Sequence, residues 1–410
     1  MILRVFTSRK SDILHYIPEG TYRNYMSKAP ISYKRNIFVV NDPNIIRYMM
    51  VEKVDNYPKS DVVTASLQPL IGSSIFNVSG DIWKRQHRMI DQVFAKLRLR
   101  VAYKSMQQAF ADYRKRLDGH NGETVNLDEE MAFVTADVIF RTMFSRPIAD
   151  GDANTIFREF TIYQESLPHM TGTVIFRRKA NSNPKIPKRG MRACNAIRDI
   201  IAKIVDERLS GKVEEEDICQ IICTCEDPET GTGFSREEMI DQIAFFFLAG
   251  HETSASALTW ALLCLSQDED AGRMVREEVV EQVGSGEIGF DKLGKLKFTN
   301  AVFKEALRLY PPVSFITRYA LGNDTARGYN IEPDDLVVIS PWTVQRNSLF
   351  WENPDIFDPT RFLGAKAKAI VKGSWLPFGV GPRVCTGAAF ATAEAGLILG
   401  SLMRDYRFTP

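Results

Sequence analysis

The sequence has no apolar run of the about eighteen residues that a membrane-spanning helix requires. Its N-terminus, residues 1–10, holds too short an apolar stretch for a secretion signal. A net charge of +1 gives no basic or acidic excess of the kind that draws nucleic acid to a surface. We therefore expect a cytoplasmic protein without a transmembrane anchor and without a nucleic-acid partner.

Cysteine is scarce, with six residues in 410, which fits a reducing compartment where thiols stay free. Three of them, Cys219, Cys223 and Cys225, form a C-x-x-x-C-x-C cluster. No second cysteine pair or nearby histidine completes a metal site there, and the neighbouring residues are apolar. We therefore expect these three cysteines to pack in the core.

Internal repeats and low-complexity linkers are also absent, and 44% hydrophobic with 25% charged residues is ordinary for a globular protein. Most of the chain has the pattern of helices. Short strand candidates occur at 37–40 and 336–339, inside β-rich regions at about 30–60 and 313–340. The expected fold is mainly α with a small β-rich lobe, in a single large domain over 1–410.

The most informative segment runs from Phe378 to Gly387 and has the pattern F-x-x-G-x-R-x-C-x-G. Cys385 stands just before a run of strong helix formers, where free N–H groups and the helix dipole favour a thiolate. Gly381 and Gly387 permit close approach of the backbone to a flat ligand, and Arg383 is a permanent cation. These residue types suit a haem iron held by a thiolate, although a lone cysteine is more often a small buried hydrophobe.

A second cluster lies in a long helix that begins at a capping box after Ser235. Its residues are Ala249, Gly250, His251, Glu252 and Thr253. Ala-Gly weakens a helix locally, and a threonine hydroxyl can bond a carbonyl one turn earlier. Together they predict a notch for a small ligand such as O2, with Glu252 beside it to deliver protons. An irregular core helix is the alternative explanation.

The helical period separates these residues by face. Phe245, Ala249 and Thr253 follow one another at four-residue spacing and share a face. His251 lies roughly 200° around the helix from Ala249. We therefore interpret His251 as structural and not as a metal ligand.

Two further pairs also have helical spacing. Glu305 and Arg308 would be a solvated surface pair in most proteins, whereas a buried pair needs further partners such as Arg361. Trp83 and His87 lie four residues apart and offer two N–H donors to a haem propionate. An amphipathic helix with a basic outer face is the alternative for the second pair.

The order and separation of these motifs resemble the cytochrome P450 superfamily, the soluble, bacterial-type haem-thiolate monooxygenases, from about Ile31 to Met403. The resemblance implies a triangular, mostly helical fold that binds haem b, with Cys385 as the axial thiolate and metal ligand. Family members usually continue further past the cysteine loop, into a β-hairpin whose tip reaches the substrate. Because this sequence ends at Pro410, we expect that hairpin to be missing, with an open pocket or a truncated chain.

The resemblance also assigns roles to the other motif residues. Glu252 and Thr253 are the implied catalytic residues in proton delivery, beside an oxygen groove formed by Ala249 and Gly250. The other implied cofactor-binding residues are Trp83, His87, Arg318, Phe378, Gly379, Arg383 and Gly387. The implied structural network behind the haem consists of Glu305, Arg308 and Arg361. The expected substrate pocket consists of Phe76, Phe245, Ala249, Val313 and Phe315, with a lid from about 157 to 176.

The implied reaction inserts one oxygen atom from O2 into an apolar small molecule that is lipid-like or terpenoid- or steroid-like. The sequence holds no reductase and no ferredoxin-type cysteine set, so we expect a separate redox partner, a ferredoxin with its reductase. Its docking patch is expected at Lys84, Arg85, Arg88, Lys304, Lys366, Lys368 and Lys372, with solvated lysines as an equal alternative. Two rival functions stay open. One is a C-terminally truncated haem-binding protein with weak or no turnover, and the other is a peroxide-driven haem-thiolate enzyme, which would not need Glu252 and Thr253.

Overall fold

Helices dominate the part of the chain that the computed structural model describes, which comprises residues 14, 17–32, 35–96, 99–120, 122–166, 186–211 and 217–410. They are α1 (Pro43–Arg47), α2 (Asp61–Ile71), α3 (Gly80–Lys96), α4 (Leu99–Asp118), α5 (Leu127–Phe144), α6 (Gly151–Ser166), α7 (Lys188–Leu209), α8 (Ile218–Thr224), α9 (Arg236–Gln267), α10 (Glu269–Val283), α11 (Lys297–Leu309), α12 (Pro341–Val344), α13 (Gly364–Ala369) and α14 (Ala388–Asp405). The mainly helical class expected from the sequence is confirmed.

The strands form a small lobe that brings together two segments far apart in sequence, residues 26–40 and residues 316–339. They are β1 (Met26–Ser32), β2 (Arg35–Val40), β3 (Ile316–Tyr319), β4 (Asp324–Ala326), β5 (Tyr329–Ile331) and β6 (Leu336–Ile339). Four of them pair in the order β1-β2-β6-β3, and β4 pairs with β5. Strands β2 and β6 run parallel, with Val39 opposite Val338, and every residue of β6 is buried. Apolar runs of this kind are typical of strands covered on both faces, and both strand candidates are confirmed.

Helix α9 is the element on which much of the candidate site is built. Its start is fixed by a capping box, in which the Glu238 backbone N–H donates to Ser235 Oγ and the Ser235 N–H donates to Glu238 Oε2. The helix contacts α2, α5, α7, α8, α10, α11 and α14. It therefore packs against helices of both apolar clusters of the helical part.

Three apolar clusters surround the site. The first packs helices α2, α3 and α5–α8 against the first half of α9, and Phe245 borders it. The second joins α4, α10, α11 and α14 to the second half of α9, and Phe378 borders it. The third lies beneath the sheet, around Phe38 and Val337. Phe245 of the long helix and Phe378 of the cysteine loop thus border different cores, whereas the second half of the helix shares a core with the loop.

Candidate active site

The cysteine loop is held in shape by its own backbone and by a close contact with residue Met50. Gly379 and Gly381 have φ values of 76° and 78°, which favour glycine. A Cβ on Gly381 would lie 2.4 Å from the Met50 carbonyl oxygen, so no larger residue fits there. The Cys385 backbone N–H donates to the Phe378 carbonyl oxygen over 2.9 Å. The sequence pattern therefore encodes one specific loop conformation that presents the thiol just before α14.

The thiol itself behaves differently from the sequence expectation. Cys385 is exposed as a residue, yet the protein atoms around its sulfur raise the pKa of the thiol, and a hydrogen bond with the Gly387 backbone only partly opposes this. The helix N-terminus was expected to lower that pKa. Helix α14 begins at Ala388, with Gly387 as its N-cap, so the N-terminal backbone contributes its lowering effect through the Gly387 hydrogen bond. A bound metal cation is therefore the agent that could hold a thiolate here.

Three cations converge beside this loop, and none of them has an acidic partner among the described residues. Arg383 lies 4.5 Å over the Trp83 ring, and its Nη2 donates to the Val78 carbonyl oxygen. Arg318 lies on β3 opposite Lys59, with which it forms an isolated β-bridge. No carboxylate of the described residues pairs with any of the three cations. Buried charges of one sign normally need a counter-ion, so this cluster is built for an anionic ligand.

The electrostatics of the cation cluster support this interpretation. Burial, followed by the charges of Arg383 and Arg318, lowers the pKa of Lys59 well below its usual value. Burial, followed by the Arg383 charge, lowers the pKa of Arg318 to about 10. Arg383 Nη1 is buried and has no hydrogen-bond partner among the described residues. The donor set fits the propionates of a haem, and Lys59 is a member that the sequence motifs missed because no local pattern marks it.

His87 contacts the same loop, but its ring is engaged by protein atoms. Nε2 lies 3.1 Å from the Pro382 carbonyl oxygen, and Nδ1 lies 3.0 Å from Asp91. The Trp83 and His87 rings are 4.7 Å apart, as their spacing predicts. Both ring nitrogens thus have protein neighbours in this arrangement, and a contact between His87 and a propionate stays a prediction. His87 braces the cysteine loop against α3.

On α9, the threonine hydroxyl is placed as its spacing predicts. Thr253 Oγ1 donates to the Ala249 carbonyl oxygen over 2.7 Å. For Gly250, the structure shows a packing reason why a glycine occupies this position. A Cβ there would lie 2.6 Å from Ile139 Cδ1 of α5, so the glycine allows two helices to approach closely. The missing side chain of Gly250 therefore allows α9 to pack on α5, and the oxygen groove at Ala249 and Gly250 stays a prediction.

Glu252 and His251 occupy contrasting environments on neighbouring positions. The Glu252 side chain is 49% exposed, and desolvation raises its pKa although Gln164 donates a hydrogen bond to it. His251 is buried, its Nδ1 lies 3.2 Å from the Phe247 carbonyl oxygen, and burial lowers its pKa to about 4. A neutral histidine stacked on Phe247 agrees with a structural role.

A second buried acid was not anticipated. Glu394 of α14 is almost fully buried and forms a hydrogen bond with Ser254 of α9, and burial raises its pKa to about 8. Its Oε2 has no hydrogen-bond partner among the described residues. An acidic residue inside the apolar run of α14 was the signal that could have identified it. The pair links the helix after the cysteine loop to the turn that carries Thr253.

The Glu–Arg network is assembled as its residues suggest. Arg308 Nε and Nη2 each donate to Glu305 over 2.8 Å, and both side chains are fully buried. Arg361 Nε lies 3.4 Å from Glu305 Oε1. Arg308 also donates to the Gln345 carbonyl oxygen, and Gln345 Oε1 accepts the Leu376 N–H just before the cysteine loop. Gln345, which the motif analysis passed over, thus connects the network to that loop.

A family model described as Cytochrome P450 matches residues 30–410. The chain belongs to the cytochrome P450 family. Cyclooctatin synthase from Streptomyces melanosporofaciens is 28% identical over 92% of this chain and 81% of its own length. Cyclooctat-9-en-7-ol 5-monooxygenase from the same organism is 27% identical over 90% of this chain and 79% of its own. Echinocystic acid 23-monooxygenase from Saponaria officinalis is 25% identical over 90% and 74%.

A solved structure supports the same fold. The crystal structure of the cytochrome P450DA heme domain superposes with a TM-score of 0.80, covering 92% of this chain and 83% of that one at 21% identity. The chain is therefore a P450 monooxygenase, an oxidoreductase that uses a haem-thiolate cofactor, O2, an electron-transfer partner and a hydrophobic substrate. No helix among the described residues is long and apolar enough to cross a membrane.

The expected substrate-pocket residues of this P450 are only partly brought together. The Phe76 and Phe245 rings stack with centroids 5.4 Å apart. Val313 is exposed and Phe315 is partly buried, both between α11 and β3. Phe157 of the expected lid packs against His251, whereas residues 167–176 of that lid lie outside the described residues.

Two parts of the expected docking patch are already neutralised within the P450. Arg88 makes a bidentate contact with Asp227 over 2.7 and 2.8 Å. Arg85 pairs with Glu238 over 2.8 Å. Carboxylates of the same chain therefore compensate the charge of both arginines, and partner docking at these two residues stays a prediction.

The remaining cations of the patch are the lysines. Lys84 lies 3.5 Å from Asp81, and Lys366 lies 3.5 Å from Asp358. Lys368 and Lys372 are exposed, and Lys304 is partly buried.

The cysteine cluster around α8 agrees with core packing. Cys219 and Cys225 are buried, and Cys223 is partly buried. Within the part of the chain that is described, no group of three or more His, Cys, Asp or Glu residues is arranged to hold a metal ion.

Proposed function

We propose that this P450 binds haem b with Cys385 as its axial thiolate ligand. It acts as one large haem domain over 1–410, inserting one oxygen atom from O2 into an apolar small molecule. The main support for this proposal is the cluster of Lys59, Arg318 and Arg383 beside the cysteine loop. None of these cations pairs with a carboxylate of the described residues. Two carboxylates of a porphyrin are the ligand chemistry that best compensates three converging cations.

Each cofactor-facing group has a separate task in this proposal. Bound haem supplies oxygen activation, which a thiolate ligand promotes by donating electron density. Phe378 shields the sulfur side from water, and the Gly379–Gly381 backbone admits the flat macrocycle. Arg383 and Arg318 fix its orientation through charge-assisted hydrogen bonds.

Proton handling falls to two side chains of α9. The raised pKa of Glu252 keeps more of its carboxyl protonated near neutral pH than an ordinary glutamate, and its partial exposure lets it exchange with solvent. Thr253 holds a proton at Oγ1, which it donates to the Ala249 carbonyl oxygen. These groups supply general acid catalysis near the proposed oxygen site. Catalysis of this kind typically raises a reaction rate by a factor of about 10²–10⁴.

The proposed substrate is lipid-like or terpenoid- or steroid-like. Phe76, Phe245 and Ala249 offer an apolar surface, to which we add Val313 and Phe315 as further wall residues. The names of two relatives specify cyclooctat-9-en-7-ol and echinocystic acid as substrates, which supports a large and mainly hydrocarbon substrate. A separate ferredoxin with its reductase is the proposed electron donor, docking at the basic lysines that remain unpaired.

The reduced, CO-bound spectrum tests the ligand assignment. We expect the red-shifted Soret band of thiolate ligation in the wild type and its loss in Cys385→Ser. Arg318→Gln combined with Arg383→Gln should lower haem retention while leaving the position of that band unchanged, since the thiolate remains. A wild-type band at the position of a neutral ligand would contradict the proposal.

A further inference from the structure

The loop that carries Phe76, residues 72–79 between α2 and α3, is tied to the first turns of α9 by side chains. The Ser73 backbone N–H donates to Asp241 Oδ2 over 2.7 Å. The Ile75 backbone N–H donates to Gln242 Oε1 over 3.0 Å. Asp241 and Gln242 are both buried. Two consecutive residues of the long helix therefore satisfy the backbone of this loop.

Gly72 is required for the Asp241 contact. Its φ is +42°, and a Cβ on it would lie 2.1 Å from Asp241 Oδ1. Any side chain at this position would displace the carboxylate. The aspartate and the glycine thus form one fitted contact.

Arg198 adds a third element to this contact. Its Nη1 donates to Asp241 Oδ1 and to the Leu70 carbonyl oxygen, each over 2.7 Å. Its Nη2 also pairs with Glu237, one residue after the start of α9. Arg198 belongs to α7 and Leu70 to α2. One guanidinium therefore joins α7, α9 and the end of the helix that leads into the loop.

The remaining contacts of the loop are also polar and specific. Gln86 Nε2 donates to the Ser73 carbonyl oxygen over 2.9 Å, and Asn77 Nδ2 donates to the Gly72 carbonyl oxygen over 2.8 Å. Lys59 Nζ donates to the Phe76 carbonyl oxygen over 2.7 Å. With its backbone fixed on both sides, the loop places the Phe76 ring on Phe245, one turn beyond Asp241.

We infer that Asp241 and Arg198 are positioning residues for the substrate pocket, which fix loop 72–79 so that Phe76 forms a preformed wall. The inference rests on the proposed function for the identity of the pocket. The rigidity of the loop stands on the contacts alone. A preformed wall lowers the ordering cost of binding a bulky ligand.

Hydrogen-exchange mass spectrometry of peptides covering 72–79 in the holoprotein tests the rigidity. Asp241→Ala removes the acceptor of Ser73 and should accelerate exchange in these peptides by about tenfold or more. Gly72→Ala should have the same effect while keeping every charge, because its Cβ displaces the carboxylate. If Asp241→Ala does not fold, Gly72→Ala therefore tests the rigidity of the loop by itself. Arg236→Gln is the matched control, since Arg236 also joins α9 to α7, through Asp206, but both side chains are about half exposed.

Two azoles of different size test the effect on the pocket. The dissociation constant of 4-phenylimidazole, read from its shift of the haem spectrum, should rise by about tenfold in Gly72→Ala. That of imidazole, which is too small to need the wall, should change little. Unchanged exchange in Gly72→Ala, an equal change in Arg236→Gln, or equal effects on the two azoles would overturn the inference. Loss of the thiolate Soret band in the wild type would instead overturn the proposed function, leaving the exchange result to be judged by itself.

Discussion

The proposed role of Thr253 depends on the proton of its hydroxyl group. Its hydroxyl already donates to Ala249, so the side chain is oriented before any substrate arrives. Thr253→Ala should preserve haem content and the CO spectrum, since no contact with the cofactor is removed. Product formed per reducing equivalent should fall by about tenfold or more, because a positioned proton donor is lost.

A threonine further along the same helix provides the control for this prediction. Thr259 Oγ1 is buried without a hydrogen-bond partner among the described residues, so Thr259→Val removes a hydroxyl from α9 without removing a hydrogen bond. Coupled turnover should be close to that of the wild type. If Thr253→Ala is as well coupled as Thr259→Val, the role of Thr253 in proton delivery is wrong.

Glu394 gives the molecule a pH-dependent stability. Folding raises its pKa from 4.5 to about 8, so between these values the folded protein keeps a proton that the unfolded chain has lost. The free energy of unfolding must therefore fall as pH rises through this window, by about 1.4 kcal/mol per pH unit from this group. Below the window both states are protonated, and above it both are ionised, so the contribution to the slope disappears.

Urea unfolding of the wild type and of Glu394→Gln across this pH window measures the effect. The variant should lose the downward slope that the glutamate contributes, because an amide does not ionise. Glu277→Gln, at a 69% exposed side chain of α10, controls for the general change in charge. Equal slopes in the wild type and in Glu394→Gln would show that Glu394 is ionised in the folded state.

Among individual residues, the sequence identified those that belong to local patterns and missed those that do not. Cys385 and Thr253 stand in motifs whose spacing has a chemical reason. Lys59 could not be found, because its neighbours in the cation cluster are distant in sequence and only strand pairing brings Arg318 opposite it. The sequence identified His87 but did not reveal its contact with the Pro382 carbonyl oxygen, since spacing along a helix says nothing about which other segment faces the ring.

Between elements, the buried Glu305–Arg308 pair connects one helix to several neighbouring segments. It holds α11 against the segment around Gln345 and against the turn that carries Arg361. Glu305→Gln should lower the free energy of unfolding by about 3–5 kcal/mol, because it leaves a buried guanidinium without its counter-charge. Thermal unfolding of the holoprotein, with haem loss followed in parallel, measures the change.

An exposed pair of the same spacing serves as the control. Asp270 and Arg273 of α10 are also three residues apart, but their side chains are 78% and 61% exposed. Asp270→Asn should change stability by less than about 1 kcal/mol, since water screens both charges. A similar loss in the two variants would mean that burial of the Glu305 pair contributes nothing.

The elements themselves were predicted more reliably than their contacts. The capping box at Ser235 and the apolar runs of β2 and β6 depend on local chemistry, which a sequence displays directly. Gly250 illustrates the limit. A glycine in a helix signals that something lies close, but only the packing of α5 shows that the neighbour is Ile139 and not a ligand.

For the whole molecule, the surface charges offer a prediction about electron transfer. Lys368→Glu combined with Lys372→Glu, both at exposed positions, should slow reduction by an acidic ferredoxin by about tenfold at low ionic strength, because charge steering is reversed. The difference should shrink as salt is added. Lys203→Glu, at an exposed position of α7, should leave the rate unchanged. A salt-independent rate in the wild type would rule out docking at these lysines.

The pairing of β2 with β6 also means that the sheet can close only late in the synthesis of the chain. Asn36 and Asp335, whose hydrogen bond joins these strands, are 299 residues apart in sequence. A ribosome must therefore release most of the chain before the sheet can close, and contacts of such long separation form late. Lys59 meets Arg318 and Arg383 only then. The cofactor can thus bind only late in synthesis. A nascent chain stalled before residue 383 should form helices but should contain no haem.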